Sequence, residues 1–346
     1  MKLVNKILYI IGNGFDLYHG IASGYNDFKE FLKRKDHNLY ELIRKYLPLT
    51  IENNDGWTRF KKSFGGPLRD WLDTKDELEN YKEDWSVLEE ALGHFDNEFL
   101  FDESLVYLNS YGAEDWSEAD NYAFQSEIDK VVQACSHDLT RLFTQWVLQL
   151  VIPKPCELPR QKLNLSKDGI YLNFNYTSTL NSLYSIPEEN ICYIHNKAVD
   201  DNSNLILGHS WKSRAKGSLN RDKIDPDDDP RIVEGNKIID EYFKNTFKDS
   251  KRIISDHTDF FQSLHSTENI CVLGHSMSQV DDEYFREIAV SIDLSQVKWK
   301  VSWFKQEERR IKHQKLIDLG VRNDLIEFMR LREFNERQPT LSGFDL

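Results

Sequence analysis

Five short apolar runs lead into residues that could do chemistry. Ile7 to Ile11 runs into Gly12-Asn13-Gly14-Phe15-Asp16, and Ile170 to Leu172 into Asn173-Phe174-Asn175-Tyr176-Thr177. Ile191 to Ile194 leads to His195-Asn196, and Leu205 to Leu207 to Gly208-His209-Ser210. Ile270 to Leu273 leads to Gly274-His275-Ser276, with Asp281 beyond. Glycines after a strand let the backbone turn tightly and approach a phosphate closely. A helix starting there would favour an anion. Asparagine amides donate and accept at once. Two of them in an apolar stretch need partners, which a ligand rich in hydroxyls supplies; asparagine at a strand end also suits a cap on the next helix. A histidine, with an ordinary pKa of ~6.5, is suited to general-base work near neutral pH.

These groups need a frame. Continuous apolar runs of this length, closed by glycine or a polar residue, suit strands buried on both faces of a parallel sheet. His195 follows Asn175 by twenty residues, the length of one strand-to-strand crossover. In a parallel sheet all five strand ends emerge at the carboxyl edge, where open α/β sheets hold ligands. Val297, Trp299, Val301 and Trp303 alternate with polar residues, as in a strand with one wetter face. Between the runs lie helical patterns: Phe28 to Leu47, Trp85 to Phe95, and Ile128 to Leu150, the last stopped by Pro153 and Pro155. The expected architecture is one α/β domain over residues 1–346, with an open, mostly parallel Rossmann-like sheet. Two mainly helical insertions interrupt it: a cap at 24–152, and a charged stretch at 212–268 that turns helical after Pro230. Trp57, Trp71 and Trp116 suit core packing or an interface.

Composition narrows the chemistry. The 346 residues carry 44 basic and 58 acidic side chains, a net charge of -14. No basic stripe is present, so nucleic acid is not favoured as a partner. Cys135, Cys156, Cys192 and Cys271 are widely spaced, which excludes a zinc ribbon and a disulfide framework; Cys192 and Cys271 read as small core residues. The apolar run at Ile7 to Ile11 is too short for a signal or a membrane span, so the expectation is a reduced, cytoplasmic protein without a membrane partner. There is no G-x-S-x-G elbow and no G-x-x-x-x-G-K-[ST] phosphate loop. Asp16, His209, His275, Asp281 and Asp282 are metal-ligand types without diagnostic spacing, so no metal is expected.

The opening Ile10-Ile11-Gly12-Asn13-Gly14-Phe15-Asp16-Leu17, with Gly20 and Tyr25-Asn26-Asp27-Phe28, resembles that of the AbiH-type bacteriophage abortive-infection proteins. Asn173 to Thr177, Tyr193-Ile194-His195, Leu207-Gly208-His209, and Leu273-Gly274-His275-Ser276 with Asp281 and Tyr284 resemble that family's later motifs. The same segments also resemble, remotely, the sirtuin pattern of NAD-binding domains. That resemblance puts Asn175 and His195 at the catalytic positions. It implies a nucleotide held by Gly12, Asn13, Gly14, Asp16, Asn173, Gly208, His209, Gly274, His275, Ser276 and Asp281. Asp16 stands where sirtuins have a serine, Thr177 where they have an aspartate and Asn196 where they have a glycine, and there is no four-cysteine zinc module. Protein deacylation is therefore not expected. The implied function is phage defence by binding a nicotinamide or adenine nucleotide and hydrolysing NAD to nicotinamide and ADP-ribose. A phage-derived trigger is implied, and a homo-oligomer is compatible with it. Two other readings stand beside this one: a metal-dependent nuclease or nucleotide hydrolase using Asp16 and the histidines, and a non-catalytic nucleotide-sensing module.

Overall fold

The computed structural model describes residues 6–47, 85–158, 162–210, 218–220, 225 and 227–334. Trp57 and Trp71 lie outside the described residues. The chain forms two compact units interleaved in sequence. One contains Met1–Ser23, Val147–Leu205 and Asp249–Leu346; the other contains Gly24–Trp146 and Ile206–Lys248.

The first unit holds a six-stranded sheet. Its strands are β1 (Lys6–Ile11), β2 (Ile170–Asn173), β3 (Ile191–Tyr193), β4 (Thr267–Leu273), β5 (Lys298–Ser302) and β6 (Ile326–Met329). They lie in the order β3-β2-β1-β4-β5-β6, and every pair is parallel. This is an open Rossmann-like α/β sheet. β1 is central, paired with β2 on one side and β4 on the other, so both of its faces are covered. That is why it needs an unbroken apolar run: Leu8, Tyr9, Ile10 and Ile11 are all buried. Tyr9 stacks on its register partner Tyr171 with ring centroids 4.7 Å apart, and its hydroxyl accepts the Ser166 N–H. In β5, Trp299 and Val301 are buried while Lys298 is exposed, the alternation expected of that strand. β6 has no counterpart among the strands read from the sequence. It is a four-residue edge strand whose weak pattern Ile326-Glu327-Phe328-Met329 carries little signal.

The Leu205 to Leu207 run corrects a sequence expectation, since it is not a strand of the sheet. The only pairing that follows is an isolated bridge between His209 and Phe247. The His209 N–H donates to Thr246 O at 2.9 Å, and its carbonyl accepts the Lys248 N–H at 2.8 Å. The approach is so close that a Cβ on Gly208 would sit 2.2 Å from Thr246 O. Three apolar residues suit either partner, and this backbone contact decides between them. Gly208 and His209 therefore belong to the helical unit and do not end a sheet strand.

The helical unit draws on both stretches expected as insertions. It includes helices at Tyr25–Lys35, His37–Tyr46, Trp85–Gly93, Asn97–Ser104, Asp120–Gln133 and Pro230–Asn245. The last begins with proline at its first turn and with Asp229 accepting the Arg231 N–H, a start that suits proline's fixed φ and missing donor. Helices at Ser250–Asp256 and Thr258–Ser263 belong to the sheet unit instead. Trp116 is half-buried, with its ring 5.9 Å from that of Tyr111. Among the described residues no helix is long and apolar enough to cross a membrane.

In a sheet of this order the chain leaves β1 in one direction for β2 and β3, and returns to its other side for β4. The carboxyl ends of β1 and β4 thus flank the topological switch point. Gly12 and Gly274 both sit there. Gly274 has φ +66°, and a Cβ on it would lie 2.0 Å from the Phe15 nitrogen. Gly274→Ala should therefore destabilise the protein by about 3 kcal/mol or more: the left-handed backbone alone costs an alanine about 1–2 kcal/mol, and the clash adds to it. Urea unfolding followed by circular dichroism checks this, and an unchanged midpoint would contradict it.

Candidate functional site

The carboxyl ends of β1, β2, β3 and β4 bring most of the sequence candidates to one edge. The loop after β1 is tied directly to the turn after β4. The Gly12 N–H donates to Leu273 O at 3.0 Å, the Gly14 N–H to Gly274 O at 2.8 Å, and the Phe15 N–H back to Gly12 O at 2.9 Å. A Cβ on Gly12 would lie 2.5 Å from the His275 Cα, and one on Gly14 2.8 Å from Gly274 O. The two glycines are thus explained by contact with the protein's own backbone. Asn13 Oδ1 already accepts from Ser23 Oγ at 2.7 Å. Asp16 lies on the six-residue helix Asn13–Tyr18 and is buried.

The loop after β2 closes on this one. Asn173 Oδ1 accepts the Asn175 N–H at 3.2 Å and so shapes its own turn. Asn175 Nδ2 donates to Gly12 O at 3.1 Å, joining the β1 and β2 ends. The amide nitrogen also hydrogen-bonds the Asp16 carboxyl, and the side-chain carbonyl keeps acceptor capacity. Thr177 Oγ1 donates to Asp16 Oδ2 at 2.6 Å and lies 2.9 Å from Thr179 Oγ1.

His195 and His275 both approach one carboxylate. His195 Nε2 is 3.9 Å from Asp281 Oδ1, and His275 Nε2 is 3.6 Å from Asp281 Oδ2. All three side chains are buried. The Phe174 ring packs edge-on against both imidazoles, at 5.2 Å from His195 and 4.3 Å from His275. Tyr284 adds a third ring, 5.7 Å from His195. The residues after the histidines hold uncommon backbone: Asn196 has φ +66° and Met277 φ +58°, both left-handed. Asparagine tolerates that conformation; a buried methionine there is a strained position, of the kind that clusters at functional sites. The Met277 N–H donates to His275 Nδ1 at 2.8 Å, closing the turn on which Ser276 is half-buried.

The family described as bacteriophage abortive infection AbiH matches residues 8–303, which span every element of this edge. The chain belongs to the AbiH family. Its role is accordingly in bacteriophage abortive infection. No curated protein and no solved structure matches the chain.

Several supports of this AbiH edge carry no sequence signal. Lys312 is fully buried; its Nζ donates to Ser302 O at 2.9 Å and pairs with Glu308. Ser302 Oγ in turn accepts the Gly274 N–H at 2.7 Å. A lysine in the highly charged stretch Gln306–Asp318 reads as a surface residue, yet here it braces β5 against the turn after β4. His19 is buried as well: its Nδ1–H donates to Phe15 O at 2.6 Å, and Tyr184 donates to its Nε2 at 2.7 Å. Burial also lowers its pKa, so it acts as a neutral strut. Cys192 and Cys271 are free and buried, as read from the sequence, with thiols pushed up to about 12 by burial. Neither is a nucleophile near neutral pH.

Asp16 is a perturbed carboxyl of this edge. Burial pushes its pKa up to about 6, while hydrogen bonding with Thr177, Thr179 and Asn175 pulls the other way. Oδ1 is buried and accepts no hydrogen bond of ordinary distance and angle. A carboxyl tuned close to neutral pH beside a sheet edge has the character of a functional group. It also fixes a stability dependence. Between its unfolded value of 3.8 and its folded value of about 6, the folded chain holds a proton that the unfolded chain has lost. The Asp16 contribution is therefore most favourable below about pH 4 and is lost as the pH rises through about 6. Asp16→Asn should stabilise the protein by about 3 kcal/mol near neutral pH, with the gain vanishing toward pH 4. Urea unfolding at the two pH values measures it; an equal effect at both would contradict the burial argument.

Proposed function

We propose that this AbiH-family protein binds an adenine or nicotinamide nucleotide at the carboxyl edge of its sheet and hydrolyses NAD to nicotinamide and ADP-ribose. The observation that carries the reading is the convergence of Asn175 and a buried His195–Asp281–His275 group on the edge that flanks the switch point, the position at which open α/β sheets hold nucleotides. The amides of Gly12, Gly14 and Phe15 bond within the protein, so recognition in this reading rests on side chains facing ribose hydroxyls more than on a phosphate cradle.

The chemistry follows from the groups. Cleavage breaks the bond between the ribose C1′ and the nicotinamide nitrogen. The bonding pair moves onto the pyridinium ring, which leaves as neutral nicotinamide and needs no acid. Positive charge develops on the ribose. A water adds its oxygen to C1′, and His195 takes its proton as general base. The carbonyl of Asn175 accepts from the water or a ribose hydroxyl, while its amide nitrogen bonds Gly12 O and the Asp16 carboxyl. Asp16, with its unsatisfied Oδ1, accepts a second hydroxyl and, when ionised, favours the developing charge. Loss of host NAD is the effector step, so a phage-derived trigger is expected to release a quiet resting state.

The test is incubation with NAD and with RNA, with and without chelator, before and after adding extract from infected cells. Nicotinamide release that is insensitive to chelator is expected. RNA cleavage that chelator abolishes would replace this reading with a metal-dependent nuclease, and tight nucleotide binding without turnover would replace it with a sensor. On the same preparations, His195→Ala should cut turnover by ~100- to 10,000-fold and leave nucleotide affinity largely intact. Asn175→Ala should weaken both. It also removes one of the two donors to the Gly12 carbonyl, leaving the Phe15 N–H, so it should lower stability by about 1 kcal/mol. A folded His195→Ala protein with undiminished NAD cleavage would overturn the mechanism.

A further inference from the structure

The pair of histidines facing one carboxylate is more than either residue's separate position requires. His275 has a defined tautomer. Its Nδ1 accepts the Met277 N–H at 2.8 Å, so that nitrogen carries a lone pair and the ring proton sits on Nε2. That Nε2–H faces Asp281 Oδ2 at 3.6 Å, while Asp281 Oδ1 faces His195 Nε2 at 3.9 Å. The three groups line up as donor, carboxylate and imidazole.

The surroundings strengthen the coupling. The rings of Phe174 and Phe285 pack on His275 at 4.3 and 5.3 Å, and Phe174 and Tyr284 on His195 at 5.2 and 5.7 Å. In so apolar a setting, charge and hydrogen-bond interactions are stronger than in water. His195 and His275 approach the Asp281 carboxylate, Tyr284 packs on His195, and the helix that follows Asp281 also carries Asp282, Glu283, Arg286 and Glu287. Asp282 is occupied elsewhere, with Lys315 at 2.7 Å and Arg286 at 3.9 Å. The backbone that aims His275 is the one with Gly274 and Met277 both left-handed, so the turn holds two uncommon conformations to present this ring.

We infer that Asp281 and His275 are positioning residues for His195. His275 holds the Asp281 carboxylate with its Nε2–H; Asp281 holds the His195 proton on Nε2 and leaves Nδ1 as the basic nitrogen. When His195 accepts a proton from water at Nδ1, the adjacent carboxylate stabilises the imidazolium. The proton stays on His195, and Asp281 remains ionised. This deepens the proposed function, since it rests on His195 being the base, and it departs from the sequence reading of Asp281 and His275 as ligand contacts.

The experiment is nitrogen-15 NMR of histidine-labelled full-length protein across pH, with NAD cleavage measured on the same samples. The variants are Asp281→Asn, His275→Gln, which keeps a donor where Nε2 stood, and His275→Asn, which does not reach. In the parent protein both rings should show the proton on Nε2. In Asp281→Asn the pH at which His195 titrates should fall by about one to three units, as expected on removing a carboxylate at this range. The acid limb of any NAD-cleavage profile should move with it. His275→Asn should shift His195 in the same direction, and His275→Gln should restore the parent behaviour. An unchanged His195 tautomer and titration in folded Asp281→Asn, or in His275→Asn should the first variant not fold, overturns the inference. If the ring shifts appear as stated while neither parent nor variant cleaves NAD under any trigger, the hydrolase reading fails and the coupling stands.

Discussion

A contact between two stretches of backbone holds the carboxyl edge together: Gly12 and Gly14 against Leu273, Gly274 and His275. Side chains cannot enter that contact, because a Cβ at Gly12, Gly14 or Gly274 would lie within 2.0 to 2.8 Å of the opposing chain. The joint links β1 to β4 where the strand order reverses. From one side it fixes Asp16 through the short helix that starts in the joint; from the other it fixes the turn that carries His275. Asn175 joins it by donating to Gly12 O, and Ser302, braced by Lys312, joins it by accepting the Gly274 N–H. A displacement of either strand end would therefore reach every polar group of the edge at once.

Two different charge environments share this edge. Asp16 is buried with hydroxyl partners and no cation among its hydrogen-bond partners, so its carboxyl is pushed toward neutrality. Asp281 is buried between two imidazoles, which are donors when neutral and cations when protonated. The first environment makes a carboxyl that can exchange a proton near working pH. The second makes a carboxylate that orients its neighbours. A carboxyl set so close to a change of protonation as that of Asp16 responds to small changes in its surroundings.

Much of this was legible in the residues. β1, β2, β3 and β4 read as buried parallel strands because each is a closed apolar run, and the carboxyl edge then followed from topology alone. Asn175 and His195 could be placed together because they end neighbouring strands. The Leu205 to Leu207 run could not be placed by the same logic. Its composition matches that of a strand, but the Thr246 and Lys248 backbone, not the sheet, takes up the pairing of His209. Lys312 was invisible because its burial depends on how its helix packs on the strand it follows, which brings Ser302 O to its Nζ. An acid beyond a strand suggests a ligand contact; that Asp281 lies between two histidines carries no signal in the sequence. The glycines of the first loop read as a phosphate approach, and the structure adds that protein backbone lies where their side chains would be.

In the proposed function the nucleotide's ribosyl bond lies against Asn175 and His195 at this edge. The most direct measurement is a crystal structure of the full chain with an NAD analogue whose nicotinamide–ribose bond cannot be cleaved. The expected result is the nicotinamide-bearing ribose within hydrogen-bond distance of Asn175, its C1′ facing His195, and a hydroxyl on Asp16. An analogue bound with that ribose away from all three side chains would contradict it.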